Sequence, residues 1–216
     1  MFIISFFLYG CFAPVNLTYE SARTLNKGEI DLQGNYSSYY GSDDFEFHNY
    51  NNNYGIKIGY GIKDRYTMKV RYERLTLTKS DFEFLSIDFS DELIKAINYF
   101  EIENKLKFKN SNIALGIPMG YYSINFNDKT TDGIFAFDPR VYFTFFSKTN
   151  KIELNLIPKA HIFIGEDLGL NPGISVGLGF SNNLNKWVIR PEFGFDGYSS
   201  FGIGVNINIA DLIRDK

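Results

Sequence analysis

The chain has 216 residues, which suits a single domain. A formal net charge of −3 excludes the basic face of a nucleic-acid binder. A mean hydropathy of −0.17, with no run near the roughly 18 apolar residues of a spanning helix, excludes an α-helical membrane protein. The 15 Tyr, 22 Phe and 19 Gly point instead to strands.

The first element is apolar. Phe2 to Gly10 reads as the hydrophobic region of an export signal covering residues 1–10. The single cysteine, Cys11, follows it, so no intrachain disulfide can form. Leu8-Tyr9-Gly10-Cys11 resembles the lipobox of bacterial lipoproteins. That resemblance implies acylation of Cys11, with residues 11–27 forming an N-terminal periplasmic tether. An ordinary secretory signal with an incidental cysteine is the alternative.

From residue 28 to residue 209 polar and apolar side chains alternate with period two, which predicts half-buried strands. Ten segments follow one another. The first, 28–40, sets Ile30, Leu32 and Tyr36 against Glu29, Asp31 and Gln33. The second spans 52–62 and the third 66–74, where Met68 and Val70 oppose Lys69 and Arg71. The fourth, 98–108, alternates Phe100, Ile102 and Leu106 with Glu101, Glu103 and Lys105. The fifth is 113–123, the sixth 135–147 and the seventh 151–164. The eighth, 173–181, and the tenth, 201–209, interleave Ile, Val, Leu and Phe with Gly, Ser and Asn. The ninth, 187–196, opposes Trp187, Ile189 and Phe193 to Arg190, Glu192 and Asp196. Residues 210–216 form a C-terminal tail. Pro139, Pro158 and Pro191 fall inside these segments, where proline removes a ladder donor.

Short polar connections, such as Lys63 to Arg65 and Lys109 to Asn112, alternate with longer ones near 41–51, 75–97, 124–134 and 165–172. That asymmetry belongs to transmembrane barrels, with turns in the periplasm and loops outside. Glycines such as Gly116, Gly177, Gly202 and Gly204 sit on the polar face, where small residues make room in a narrow lumen. The same face carries eight basic residues (Lys57, Lys69, Arg71, Lys105, Lys107, Arg140, Lys159, Arg190) and nine acidic ones (Glu29, Asp31, Glu73, Glu101, Glu103, Asp138, Glu153, Glu192, Asp196). Near balance suits a filled interior laced with ion pairs. Tyr40, Tyr66, Tyr121, Tyr122, Trp187 and Tyr198 are candidates for interfacial girdles. The expected fold is therefore all-β, a transmembrane antiparallel up-and-down barrel of about ten strands over 28–209. A soluble β fold with the faces reversed is the alternative.

The alternating segments, the signal ending at Cys11 and the closing strand Phe201 to Ile209 together resemble small bacterial outer-membrane β-barrel proteins. The resemblance names an architecture and implies residence in the outer membrane; it does not name an activity.

Chemistry is sparse. His48 and His161 have no nearby Cys, and no metal or cofactor motif occurs. His161, Ser175 and Asp196 would project into the lumen from neighbouring strands, a His–Ser–acid set similar to that of outer-membrane lipid hydrolases. A narrow channel is a second alternative. Leu77, Phe82, Phe84, Leu85, Ile87 and Phe89 crowd a predicted outer loop and form a candidate partner-contact patch. Ser90 could cap a short helix over 91–98. The expected function is non-enzymatic: an accessory or structural subunit of an outer-membrane complex for protein insertion, export or uptake. Its partners would be outer-membrane lipids and other outer-membrane proteins, not nucleic acid, and no cofactor is expected.

Overall fold

Alternation puts every second side chain on one face, and the chain uses this to close a cylinder. The computed structural model describes residues 15–43, 46–77, 94–126, 129–130, 133–164 and 168–209. The strands are β1 (Ile30–Asp43), β2 (Glu46–Lys63), β3 (Tyr66–Leu77), β4 (Ile94–Lys107), β5 (Ile113–Phe126), β6 (Lys129–Thr130), β7 (Ile134–Phe137), β8 (Arg140–Phe146), β9 (Ile152–Ile164), β10 (Leu168–Phe180), β11 (Trp187–Phe195) and β12 (Ser199–Asn208). β7 and β8 are halves of one stave interrupted at Asp138-Pro139, and β6 is a two-residue ribbon on β5. The result is a closed antiparallel barrel of ten staves. The first and last staves meet along Asp31↔Asn208 to Tyr40↔Ser199, which leaves no free edge.

Each of the ten segments expected from alternation is a stave, but several run longer than expected. The stretch 41–51 is largely ladder, with Gly41 opposite His48, and β10 begins at Leu168 inside the expected 165–172 loop. No helix spans 91–98. Ile94 to Asn98 belong to β4 and pair with Ser123 to Phe126, a backbone ladder that a single helical turn cannot match in stability. Pro158 and Pro191 stay in register opposite Ile174 and Ile203. Only Pro139 interrupts a stave, and the break is bridged when Asp138 N donates to Pro118 O (3.2 Å) and Ala160 N to Pro139 O (3.1 Å).

The two faces fall as the alternation requires. Ile56 and Phe201 are 54% and 58% exposed on the outside, whereas Lys57, Arg71 and Glu103 inside are 1%, 1% and 0% exposed. An apolar belt of this extent, continuous around a closed ring whose backbone bonds are all internal, is a lipid-facing surface. The staves, nine residues and more, exceed the roughly 9–11 that a tilted strand needs to cross a membrane, or meet that range. The protein is a transmembrane β-barrel of the outer-membrane type. The turns at 64–65, 108–112, 147–151 and 181–186 share one end with the start of β1 and the end of β12, the periplasmic end by this arrangement.

Residues 15–22 are not part of a periplasmic tether. They lie inside the barrel, and every one is buried. Val15 packs with Leu75, Ile97, Tyr99, Tyr122 and Ala136 near the loop end. Ala22 packs with Ala114, Tyr142 and Ile157 lower down. Leu25 N donates to Thr67 Oγ1 (2.9 Å) at the turn end. The chain then reverses at Gly28, whose φ of +81° suits glycine, and enters β1. Wall glycines accommodate the segment: a Cβ on Gly204 would come 2.5 Å from Tyr19 Cβ. The physical reason for the corrected placement is a lumen whose charges are completed by this segment.

Replacing Gly204 with Val should therefore overpack the lumen and cost about 1–3 kcal/mol. It should lower the temperature at which the folded band converts on a denaturing gel. Gly34→Val, where a Cβ meets open space on the outer face, should leave that temperature unchanged.

Candidate functional site in the barrel lumen

Side chains from most of the staves converge on the lumenal segment, and they grip its main chain. Val15 N donates to Tyr122 Oη (3.0 Å) and Asn16 N to Tyr39 Oη (2.8 Å). Arg71 Nη2 donates to Leu17 O (2.7 Å), and Lys159 Nζ donates to Asn16 O. The Glu192 carboxylate accepts from Thr18 N (2.9 Å) and Tyr19 N (2.5 Å). Gln33 Nε2 reaches Thr18 O (3.3 Å) and Arg190 Nη1 reaches Tyr19 O (3.3 Å). Lower down, Lys105 Nζ donates to Ser21 O (2.5 Å), and Ala22 N donates to Thr144 Oγ1 (2.6 Å).

One side chain of the segment is read as a charge. The Glu20 carboxylate lies 2.6 Å from Lys57 Nζ, 2.5 Å from Lys105 Nζ and 3.2 Å from Lys69 Nζ. These lysines come from β2, β4 and β3, and Lys69 also pairs with Asp31 (3.1 Å). Below this cluster Glu153 takes Arg190 (2.6 Å) from the wall and Arg23 (3.2 Å) from the segment. Above it, Arg140 binds Glu101 (2.6 Å), and Tyr99 Oη donates to Glu101 Oε2 (2.8 Å). Arg71 pairs with Glu73 on its own stave. A cavity of about 510 Å³ opens at the turn end, with Glu20, Arg23, Lys69, Lys105 and Arg190 among its lining.

The His–Ser–acid set does not assemble. His161 Nδ1 is bonded to Asp138 Oδ1 (3.0 Å), and its Nε2 stands 3.7 Å from Asp196 Oδ2. Ser175 instead accepts from Lys159 Nζ (3.2 Å). Register explains this. Ser175 lies opposite Ile157, whereas His161 lies opposite Asn171, two full side-chain repeats away. All three residues are buried. Tyr122, a candidate girdle residue, points into the lumen and is buried, because it falls one residue out of phase with Tyr121. Among the described residues no cluster suits a metal ion. Leu77 closes β3; Phe82, Phe84, Leu85, Ile87 and Phe89 lie outside the described residues, as does Cys11.

Sequence reasoning missed Asn16 to Arg23 as site residues. A signal existed in the wall. Lys57 stands directly opposite Arg71 across β2 and β3, and Glu73 takes Arg71, which leaves Lys57 to an acid from elsewhere.

No protein-family profile and no curated protein sequence matches the chain. Solved structures do resemble it. The translocator domain of the autotransporter NalP from Neisseria meningitidis shares 8% identity over 85% of this chain and 88% of its own, at a TM-score of 0.49. An outer-membrane channel from Pseudomonas putida F1 shares 10% identity over 86% and 97%, at 0.47. The outer-membrane protein OprG from Pseudomonas aeruginosa shares 8% over 85% and 96%, at 0.36. Likeness at this distance concerns the barrel fold and nothing more specific.

Glu20→Ala leaves the buried Lys57 and Lys105 ammonium groups without their acid and Lys69 with Asp31 alone, which should cost about 3–5 kcal/mol. The urea midpoint of the refolded barrel in micelles should fall accordingly. The double variant Glu20→Ala/Lys105→Met should recover part of the loss, because it removes one of the stranded charges.

Proposed function

We propose that this protein is a non-enzymatic outer-membrane lipoprotein, acylated at Cys11, that serves as an accessory or structural subunit of an outer-membrane assembly for protein insertion, export or uptake. The observation that carries this reading is the occupied lumen. Residues 15–22 and the paired charges around them fill the space a solute would cross. The one candidate catalytic serine is buried and bonded by Lys159, and the ladder sets it four residues along β10 from Asn171, the residue opposite His161. The surfaces left for contact with partner proteins are the outer wall and the loops.

Affinity purification from native membranes in mild detergent should bring down other outer-membrane proteins; recovery of a lone monomer would count against the accessory role. Radiolabelled palmitate should enter the wild-type chain and not Cys11→Ser. In planar bilayers the intact protein should give no steady conductance, and a sustained open level would favour a channel instead. Ser175→Ala should leave any esterase background of the purified protein unchanged.

A further inference from the structure

The lumenal segment is held as a ligand is held. None of residues 15–25 belongs to a strand, and the ring closes through β1 and β12 without them. The backbone pairing with β2 begins only at Gly28 and Glu29, which bond Gly61, so removing residues 15–25 would break no ladder hydrogen bond. Its fixation comes from wall side chains that bind its N–H and C=O groups at Val15, Asn16, Leu17, Thr18, Tyr19, Ser21 and Ala22. Those groups are common to every peptide, so this part of the recognition tolerates sequence.

Two features add selectivity. The Lys57, Lys69 and Lys105 ammonium groups require a carboxylate at the position of Glu20. The wall at Gly202 and Gly204 opens just enough for an aromatic ring at position 19. Tyr19 also adopts a φ of +57°, a left-handed conformation that costs a non-glycine residue energy and persists only under surrounding constraint. Its N–H and that of Thr18 converge on Glu192, which supplies that constraint. A strained, main-chain-held segment linked to the barrel through a single glycine reversal has the properties of an exchangeable occupant.

We propose that the lumen is a peptide-binding site. It takes a non-helical peptide bearing an aromatic residue followed by an acidic one, and residues 15–25 of the chain are its resident occupant. This goes beyond the accessory-subunit reading and does not depend on it.

The test uses the full chain with a site-specific protease sequence inserted between Lys27 and Gly28, both exposed at the turn end. The refolded protein is cut in micelles, and a fluorescent synthetic peptide spanning residues 13–27 is added. The cut barrel should keep its heat-modifiable gel mobility and bind the peptide saturably by anisotropy, while the uncut protein should not. The same peptide carrying Glu20→Gln should bind at least about tenfold more weakly. Collapse of the barrel on cutting, or exclusion of the peptide by an intact cut barrel, would show a fixed strut and overturn the proposal. Equal binding of the two peptides would overturn the assigned carboxylate selectivity. Should the insertion prevent folding, the uncut Glu20→Ala chain provides the second arm. Its loosened segment should admit the labelled wild-type peptide, and failure to do so in the folded variant overturns the exchange.

Discussion

Lipid on the outside leaves the inward charges of this barrel little water except where the cavity opens at the turn end, and the lumen is organised by how those charges are neutralised. Lys57 and Arg71 face each other across two staves, and Lys69 and Lys105 stand close by. Glu73 takes Arg71 and Asp31 takes Lys69, which leaves Lys57 and Lys105 in need of an acid from off the wall. Glu20 supplies it, and the rest of the segment follows because Arg71, Lys159, Arg190 and Glu192 then find main-chain groups within reach. Such buried pairs contribute little net stability compared with an apolar core. Their effect is to fix one position and one register for the segment.

The same constraint explains why glycines crowd the inner wall. Gly202 and Gly204 face Tyr19, Gly116 faces Glu103 and Tyr142, and Gly179 faces Glu153. Each removes a side chain where a large one from elsewhere has to lie. The barrel is narrow enough that neither the peptide nor the long ion-pairing side chains would fit otherwise.

How much of this was legible differs by element. The staves were legible because lipid on one side and a polar lumen on the other impose strict alternation; Ile56, Lys57 and Ile58 show it in three residues. Longer strands at the loop end were not, since beyond the membrane the alternation of residues such as Gly41 and Ser42 relaxes. The lumenal segment escaped notice because its contacts use peptide groups, which leave no mark on side-chain pattern. Counting eight basic against nine acidic wall residues suggested a complete interior, but a total is silent about location: the cations near Glu20 are in local excess. The His161, Ser175 and Asp196 set shows the converse limit. Parity correctly turned all three inward, while height along the staves, which the register decides, kept Ser175 from His161.

The segment enters β1 directly after Gly28, and β1 is also the stave that seals against β12, at the opposite end of the sequence. Sealing therefore joins the two most distant parts of the chain, a high-contact-order step that belongs late in folding. A strand-sized peptide crossing a ring is most simply enclosed as the ring shuts. The barrel would then wrap its own lumenal segment, and the seam between first and last stave becomes the point where the order of assembly is decided.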